Sequence, residues 1–376
     1  MTAQKHRVMV VGPWPPTKGG VTTFMLNLTG SMLKERFAFV PFTTSRPPKK
    51  NVSDNYGYAA MLRGGVGRVL LGALITATHV VSFPFELLFG RFALVQVQAS
   101  DYQAFWESAA YVWMAKRLGK PVVLRIGGAF DVFFADSPPR AQALIAGVLN
   151  QADWVIAQSH IAKGFIEAAG RTGPVIVVSN WSRESSIREV SRTSTSAPTF
   201  LFIVGSDARR KGIEEVLAAA RILQDQGSPA RLHLMACTDA LQDELRGLGL
   251  PNITAVEGFA DNARVIEAMC AADALLLPSH GEGFPNTLVE AMGCGLPSVV
   301  TPVGGVPEIV SSGGAITVPV RDPQALAAAI ATLTAYEPGR LAMGAAALAT
   351  LKDRYVAGRV LPPLGQVYDD LVAGRR

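Results

Sequence analysis

The sequence predicts an α/β protein with two doubly wound parallel sheets, and three observations support this prediction. First, 376 residues exceed the roughly 250–300 residues at which a single hydrophobic core stops growing. Second, short apolar runs alternate with segments long enough to form crossover helices, a pattern typical of parallel sheets. Third, the alternation stops at the polar segment 182–198 and then restarts. We therefore expect two Rossmann-like domains, 1–185 and 186–359.

Each predicted strand is a short apolar run next to turn residues, as is typical of strands buried on both faces. In the first domain these runs are Val8–Val11, Ala93–Val97, Val122–Ile126, Trp154–Ala157 and Val175–Val178. In the second domain they are Phe200–Val204, Arg231–Ala236, Ile253–Val256, Ala274–Leu277, Ser298–Thr301 and Ala315–Val318. The pair Pro338-Gly339 predicts a turn before a helix from Leu341, and Pro362-Pro363 predicts a break before a last helix.

Composition excludes several classes of protein. Apolar residues make up 49% of the chain and charged residues 17%, which excludes intrinsic disorder. The three cysteines, Cys237, Cys270 and Cys294, form no C-x-x-C motif, so neither a disulfide framework nor a zinc cage is supported. The N-terminus lacks the apolar core of a signal peptide. We therefore expect a reduced, cytoplasmic protein without a metal site.

Charge is distributed unevenly along the chain. Residues 1–185 hold 19 Lys/Arg and 10 Asp/Glu, or +9, whereas residues 186–376 hold 16 and 20, or −4. A basic half can meet a membrane surface or lipid phosphate, or it can be an ordinary solvated surface. Nucleic acid ranks last, because the charges form no dense run interleaved with aromatic residues. We predict no nucleic-acid partner.

The most apolar segment is Val69–Phe89, and it leaves three alternatives open. It is either a buried core helix, or a helix lying in the interface of the inner membrane surface, or, least favoured, a membrane span. Three arginines flank it and could meet lipid phosphates: Arg63, Arg68 and Arg91.

The densest functional motif follows the predicted strand Ala274–Leu277 and reads SHGEGFPNTLVEAM. Pro285 suits a first helical turn, and the amides of Asn286, Thr287 and Leu288 would then suit a phosphate at the positive end of a helix. Glu282 precedes this helix and Glu290 lies about one turn into it. The alternative is an ordinary strand-helix turn with two solvated glutamates.

The longer segment HGEGFPNTLVEAMGCGLPSVVTPVGGVPEIV resembles the signature of family 4 glycosyltransferases, which are retaining enzymes of the GT-B fold with two glutamates seven residues apart. The resemblance implies two Rossmann-like domains facing a central cleft, with residues 360–376 crossing back to the first domain. It also implies that the first domain binds the acceptor and the second the nucleotide sugar.

Other segments are similar to the family in the same order. The double glycine Gly19-Gly20 resembles a loop that approaches the donor diphosphate. In GSDARRKG, Lys211 occupies the family's lysine position, whereas Ser206 replaces its arginine, so Arg209 or Arg210 would supply a second charge.

The first domain departs from the family in a second place. In LRIGGAFD, Gly127 replaces a histidine that the family places near the transferred sugar. Arg125 and Asp131 are alternatives for this contact, or they form a structural ion pair with each other.

The implied reaction moves a sugar from a donor of the UDP or GDP type to a hydroxyl of a saccharide or lipid-linked acceptor, in polysaccharide or glycolipid assembly. Lys211 and the nearby arginines would stabilise the leaving diphosphate, Glu282 would bind the sugar and Glu290 the ribose. No metal or cofactor is implied. The remaining donor contacts are expected at Gly258, Phe259, Gly283 and Phe284.

Two competing functions stay open. One is a non-catalytic GT-B partner protein that binds a sugar nucleotide or glycan, and the other is a related GT-B epimerase or phosphorylase. A nicotinamide dehydrogenase is nearly excluded, because no G-x-G-x-x-G follows either first strand. The sequence predicts no particular oligomeric state.

Overall fold

Two six-stranded parallel sheets organise the chain, each in its own compact unit. The computed structural model describes residues 5–17, 19–45, 66–190, 192, 195–205 and 207–375. The first unit contains the described residues up to Asn180 together with residues 357–375, and the second contains Trp181–Val356. These limits lie a few residues before those expected from the sequence. The predicted α/β class with two parallel sheets is confirmed.

The first sheet has the strand order β2-β1-β3-β4-β5-β6, with every pair parallel. Its strands are β1 (His6–Gly12), β2 (Phe37–Thr43), β3 (Leu94–Ala99), β4 (Val122–Ile126), β5 (Trp154–Ala157) and β6 (Val175–Val177). Because the strands are parallel, the loops that follow them gather at one edge of the sheet, where open α/β folds bind ligands.

Strand β2 is absent from the sequence prediction, and its proline explains why. It lies at one edge of the sheet and, among the described strands, pairs with β1. Its sequence, FAFVPFT, contains Pro41, which lacks a backbone N–H and is tolerated in an edge strand. Apolar periodicity alone does not identify such a strand.

In the described part of the first unit, six α-helices precede residue 180. They are α1 (Gly20–Thr29), α2 (Val66–Phe89), α3 (Tyr102–Arg117), α4 (Phe130–Ala135), α5 (Pro139–Gln151) and α6 (His160–Ala168).

Helix α2 contains the apolar segment Val69–Phe89, and only one of its faces is buried. Phe83 packs edge-on against Phe42, with ring centroids 5.2 Å apart. The opposite face exposes a stripe of apolar side chains at helical spacing, which we call the α2 stripe: Leu74, Val81, Phe85, Leu88 and Phe89. The helix therefore packs one face into the first core, as the core-helix alternative expects, and leaves the other face exposed. In the part of the chain that the structure describes, no helix combines the length and apolar character that a bilayer span requires.

The chain ends with α14 (Ala357–Val360) and α15 (Pro362–Val372), which belong to the first unit. Tyr368 of α15 is fully buried, packs edge-on against Phe37 at 5.1 Å, and donates a hydrogen bond to Gln96 Oε1. The expected return of the C-terminal helix to the first domain is confirmed.

The second sheet has the order β12-β11-β10-β7-β8-β9. Its strands are β7 (Thr199–Ile203), β8 (Arg231–Met235), β9 (Ile253–Val256), β10 (Ala274–Leu277), β11 (Ser298–Val300) and β12 (Ala315–Thr317). Its helices are α7 (Ile213–Asp225), α8 (Asp239–Gly247), α9 (Asn262–Ala271), α10 (Asn286–Gly293), α11 (Val306–Ile309), α12 (Pro323–Ala335) and α13 (Glu337–Arg354). The predicted turn at Pro338-Gly339 is wrong, because Pro338 stands in the first turn of α13, where its missing N–H costs nothing.

Candidate functional site

Lys211 and Glu282 meet at the carboxyl edge of the second sheet. Lys211 lies in the loop between β7 and α7, and Glu282 lies in the loop between β10 and α10. These loops are neighbours because β7 and β10 are adjacent strands. The Lys211 ammonium donates a hydrogen bond to Glu282 Oε1 at 2.6 Å.

The Glu282 carboxylate is buried but well compensated. Ser279 Oγ donates a second hydrogen bond to Oε1 at 2.8 Å, and Arg210 Nη1 lies 3.9 Å from Oε2. Burial by itself raises the pKa of the carboxyl, but the charges of Lys211 and Arg210 and the hydrogen bonds from Lys211 and Ser279 outweigh burial and lower this pKa below its usual value. Glu282 is therefore ionised at neutral pH.

The two arginines of this loop have different surroundings. Arg210 Nε donates to Asp207 Oδ2 at 3.1 Å, and its guanidinium also donates to the main-chain oxygen of Gly281. Arg209 instead lies 3.4 Å from Glu214, with both side chains about two-thirds exposed. The structure therefore brings Arg210 to Glu282 and places Arg209 in a surface ion pair. Ser206, which replaces the family's arginine, lies outside the described residues.

A glycine contact fixes the Glu282 backbone. Gly304 has a φ of 54°, and a Cβ atom built on it would lie 1.7 Å from the main-chain oxygen of Glu282. The next amide, of Gly305, donates to Gly283 O at 2.7 Å. A side chain at Gly304 would thus displace the loop that carries Glu282.

Helix α10 begins four residues after Glu282, at Asn286, and its N-cap residue, Pro285, provides no side-chain hydrogen bond. Val289 makes the first intrahelical bond, to Pro285 O at 3.3 Å. The amides of the three preceding helical residues therefore carry the positive end of the helix dipole; they belong to Asn286, Thr287 and Leu288. Phe284 is buried against Tyr355, with ring centroids 5.5 Å apart, so its side chain belongs to the core.

Glu290 has a different electrostatic environment from Glu282. Asn262 Nδ2 of α9 donates to Glu290 Oε1 at 3.2 Å. Burial raises the pKa of this carboxyl to about 7, because the Asn262 hydrogen bond and the charge of Arg183 offset only part of the desolvation. Near neutral pH the carboxyl can therefore donate as well as accept hydrogen bonds.

Two glycine-containing loops hold the other predicted donor residues. After β9, Gly258 O accepts a hydrogen bond from the Ala236 amide at 3.2 Å, and the Phe259 side chain is 51% exposed. In the first unit, Gly19 precedes α1 with a φ of 153°, and Gly20 is the first residue of that helix.

Arg125 lies at the centre of the first sheet and is 2% exposed. Its Nη2 donates to Asn180 Oδ1 at 2.8 Å, and its guanidinium carbon lies 3.6 Å from the ring centroid of Phe24. Burial lowers the pKa of Arg125 to about 9. Among the described residues, no carboxylate lies within salt-bridge distance of this guanidinium. Asp131, in the first turn of α4, is therefore not within this distance either. The ion pair considered for these two residues is therefore wrong.

Sequence reasoning assigned no role to three residues of the second unit. Ser279 binds Glu282, Asn262 binds Glu290, and His280 Nε2 lies 3.0 Å from Glu215 Oε1. Ser279 and His280 directly follow β10, where functional residues gather in parallel sheets, so their position was an available signal. Asn262 carries no such local signal, because only the packing of α9 brings it to Glu290.

The segment that contains this site is similar to known glycosyltransferases. Residues 197–335 match the family model described as glycosyl transferases group 1, a range that contains Lys211, Glu282 and Glu290. The colanic acid biosynthesis glycosyltransferase of Salmonella typhimurium is 29% identical over 197 residues, which cover 49% of this chain and 48% of that relative. The chain thus spans about half the length of this relative.

Solved structures resemble the whole chain. Sucrose-phosphate synthase from Thermosynechococcus elongatus superposes with a TM-score of 0.77 at 18% identity, covering 98% of this chain and all of that one. Anabaena HepE in complex with UDP-glucose gives 0.66 at 16% identity, covering 98% and 99%. At such identities the likeness establishes the fold alone. The chain therefore has the GT-B fold, and its segment 197–335 is similar to group 1 glycosyltransferases.

Proposed function

We propose that this protein is a family 4 glycosyltransferase that moves a sugar from a nucleotide diphosphate to an acceptor hydroxyl with retention of anomeric configuration. One observation supports this function above others. The ion-paired Lys211 and Glu282 lie at the carboxyl edge of the second sheet, inside the segment that matches group 1 glycosyltransferases. The UDP-glucose bound to the structural neighbour HepE supports a nucleotide sugar as the donor.

The charges of the site suit the departure of a diphosphate. During transfer, the bond from the sugar's anomeric carbon to the phosphate oxygen breaks, and its electron pair stays on that oxygen. Lys211 has three N–H donors, so it can keep its hydrogen bond to Glu282 while another N–H donates to phosphate. Preorganised positive charge at a leaving group is commonly the largest catalytic contribution. Arg210 and the first amides of α10 provide further donors.

The site also offers a hydrogen-bond acceptor for the sugar, and the leaving phosphate can take the proton of the acceptor hydroxyl. Among the described residues none donates a hydrogen bond to Glu282 Oε2, so this oxygen can accept one from a sugar hydroxyl. The acceptor oxygen bonds the anomeric carbon on the face that the phosphate leaves. Its proton passes to the departing phosphate oxygen, so no separate base is needed. Glu290 then binds the ribose hydroxyls, and the exposed Phe259 packs against the base.

Donor binding tests the assignment first. In a thermal-shift panel of UDP, GDP and ADP with their common sugars, one base should raise the melting temperature, because the ligand binds only the folded chain. The shift should fall strongly in Lys211→Met but persist in Arg209→Met, since Arg209 is held in a surface pair. Equal shifts in both variants would remove Lys211 from the donor site.

A second candidate is a GT-B protein that binds a sugar nucleotide or glycan without turnover. Gly127, in place of the family's histidine, favours it. Calorimetric binding of a nucleoside diphosphate without turnover on any of a panel of acceptors would support this candidate, and turnover would exclude it.

We further propose that the first unit works at the inner surface of a membrane, on a lipid-linked acceptor. The α2 stripe exposes five apolar side chains along one helix face, with Phe89 80% exposed. Such a face, in a half that carries +9, suits an anionic lipid surface. Phe85→Ser/Phe89→Ser should reduce sedimentation with phosphatidylglycerol vesicles, whereas the exposed pair Leu341→Ser/Tyr336→Ser should not. Equal partitioning of the wild type into anionic and neutral vesicles would contradict the proposal.

A further inference from the structure

The first unit contains a buried positive charge that the described protein does not neutralise. Arg125 is 2% exposed and lies over the Phe24 ring. Among the described residues its single hydrogen bond goes to the neutral amide of Asn180, and its Nε has no hydrogen-bond partner. Burying a charge is strongly unfavourable unless a counterion or several hydrogen bonds compensate it. The ring and one amide leave the guanidinium without a counterion in the described part of the chain.

Another buried arginine of the same unit shows what compensation looks like. Arg171 is 5% exposed, and its guanidinium donates four hydrogen bonds to main-chain carbonyls. These carbonyls belong to Leu149, Ala152, Asp153 and Pro174. Both arginines leave Nε without a partner among the described residues, but Arg171 has four hydrogen bonds that tie loops together, whereas Arg125 has one hydrogen bond and the face of an aromatic ring. The contrast makes a purely structural role for Arg125 an incomplete account.

A second unsatisfied polar side chain lies beside Arg125. Gln98, 4% exposed, stands opposite Arg125 in the parallel register of β3 and β4. Among the described residues, neither its amide nitrogen nor its amide oxygen has a hydrogen-bond partner. A Cβ atom built on Gly127 would lie 3.3 Å from both Ala99 O and Gln158 Nε2 and 3.6 Å from Arg125 Nη1, so a side chain at 127 would crowd these groups. Two neighbouring buried side chains, Arg125 and Gln98, therefore both carry unsatisfied polar atoms.

We propose that Arg125 and Gln98 bind an oxyanion, a phosphate or a carboxylate carried by the acceptor, with Arg125 as its counterion and the Gln98 amide as a further donor. A planar guanidinium with several N–H donors matches the paired oxygens of such groups. The assignment to the acceptor rests on the proposed function, in which Lys211 and Arg210 of the second unit serve the donor diphosphate.

Anion binding tests the proposal without requiring any activity. Thermal melting and calorimetry with inorganic phosphate and with glucuronate compare the wild type, Arg125→Met and Arg171→Met. At least one anion should raise the melting temperature of the wild type more than that of Arg125→Met, and this difference identifies which oxyanion the site takes. In calorimetry, the binding that depends on Arg125 should be weaker by about tenfold or more in Arg125→Met. Arg171→Met should melt lower but keep the response. Anion binding at the second unit is common to all three chains and cancels in the comparison.

Stability without ligand gives an independent measure. Arg125→Met removes an uncompensated charge, so its melting temperature should equal or exceed that of the wild type, whereas Arg171→Met loses four satisfied bonds and should melt lower. An equal response to both anions in Arg125→Met and wild type would overturn the proposal, and so would no response in the wild type.

Kinetics separates this inference from the proposed function. In a transfer assay Arg125→Met should raise KM for the acceptor while leaving KM for the donor unchanged. Anion binding through Arg125 in a chain without transfer activity would contradict the proposed function alone. Transfer with an unchanged acceptor KM in Arg125→Met would contradict the anion site alone.

Discussion

At the scale of single residues, the site depends on a reciprocal ion pair. Glu282 is 8% exposed and stays ionised because Lys211 and Arg210 stand beside it. Breaking such a pair leaves an uncompensated buried charge, which costs more than removing both partners. Stability and donor binding therefore depend on the same contact.

A double-mutant cycle measures this dependence. Lys211→Met should lower the free energy of unfolding by about 2–4 kcal/mol, because it leaves Glu282 buried without its closest cation. Lys211→Met/Glu282→Gln should recover more than half of that loss. Arg209→Met should change stability by less than about 0.5 kcal/mol, since its partner is exposed. Urea-induced unfolding provides the values, and additive effects of the Lys211 and Glu282 substitutions would contradict the coupling.

The raised pKa of Glu290 predicts a pH dependence of stability. The pKa is about 7 in the folded chain against an ordinary value of 4.5. Between these values the folded chain holds a proton that the unfolded chain has released, so stability falls as pH rises through this window. Glu290→Gln lacks this titration. Between pH 5 and pH 8 its free energy of unfolding should therefore rise by on the order of 2 kcal/mol relative to that of the wild type. The same wild-type-to-variant difference at both pH values in urea unfolding would show that Glu290 is not shifted.

At the scale of elements, the loop after β11 supports the loop after β10. Gly304→Ala should cost about 2–4 kcal/mol, since its Cβ would overlap the Glu282 carbonyl, and should also weaken nucleotide binding. Gly295→Ala is the matched control, because Gly295 has a similar φ of 58° but its Cβ would lie 3.7 Å from its nearest described neighbour, Gly344 O. It should cost only about 1 kcal/mol. Equal losses in the two variants would assign the whole effect to backbone conformation.

Local sequence patterns predicted most elements and part of the site. Short apolar runs next to turn residues predicted strands, and each predicted strand is present. Strand β2 also begins with an apolar run, but Pro41 follows it, and proline usually argues against a strand. The motif and the family resemblance were enough to predict Glu282, Lys211 and the start of α10. The choice of Arg210 over Arg209, and the Asn262 contact to Glu290, depend on packing that spacing alone does not specify.

At the scale of the whole molecule, the two halves of the chain carry opposite charge and different chemistry. The first half holds +9, the exposed α2 stripe and the uncompensated Arg125. The second half holds −4 and the Lys211–Glu282 pair. We infer that the first unit serves an anionic, lipid-linked acceptor and the second serves the nucleotide sugar.

Release of nucleoside diphosphate by the full chain tests the central claim most directly. The chain is incubated with the nucleotide sugar that raises its melting temperature, together with a panel of phosphorylated, uronate and lipid-linked acceptors, and the product linkage is determined by proton NMR. Our account predicts that nucleoside diphosphate is released together with a product that has the donor's anomeric configuration. In Lys211→Met and Glu282→Gln this release should nearly disappear. Inversion of configuration, or turnover that is unchanged in both variants, would contradict it.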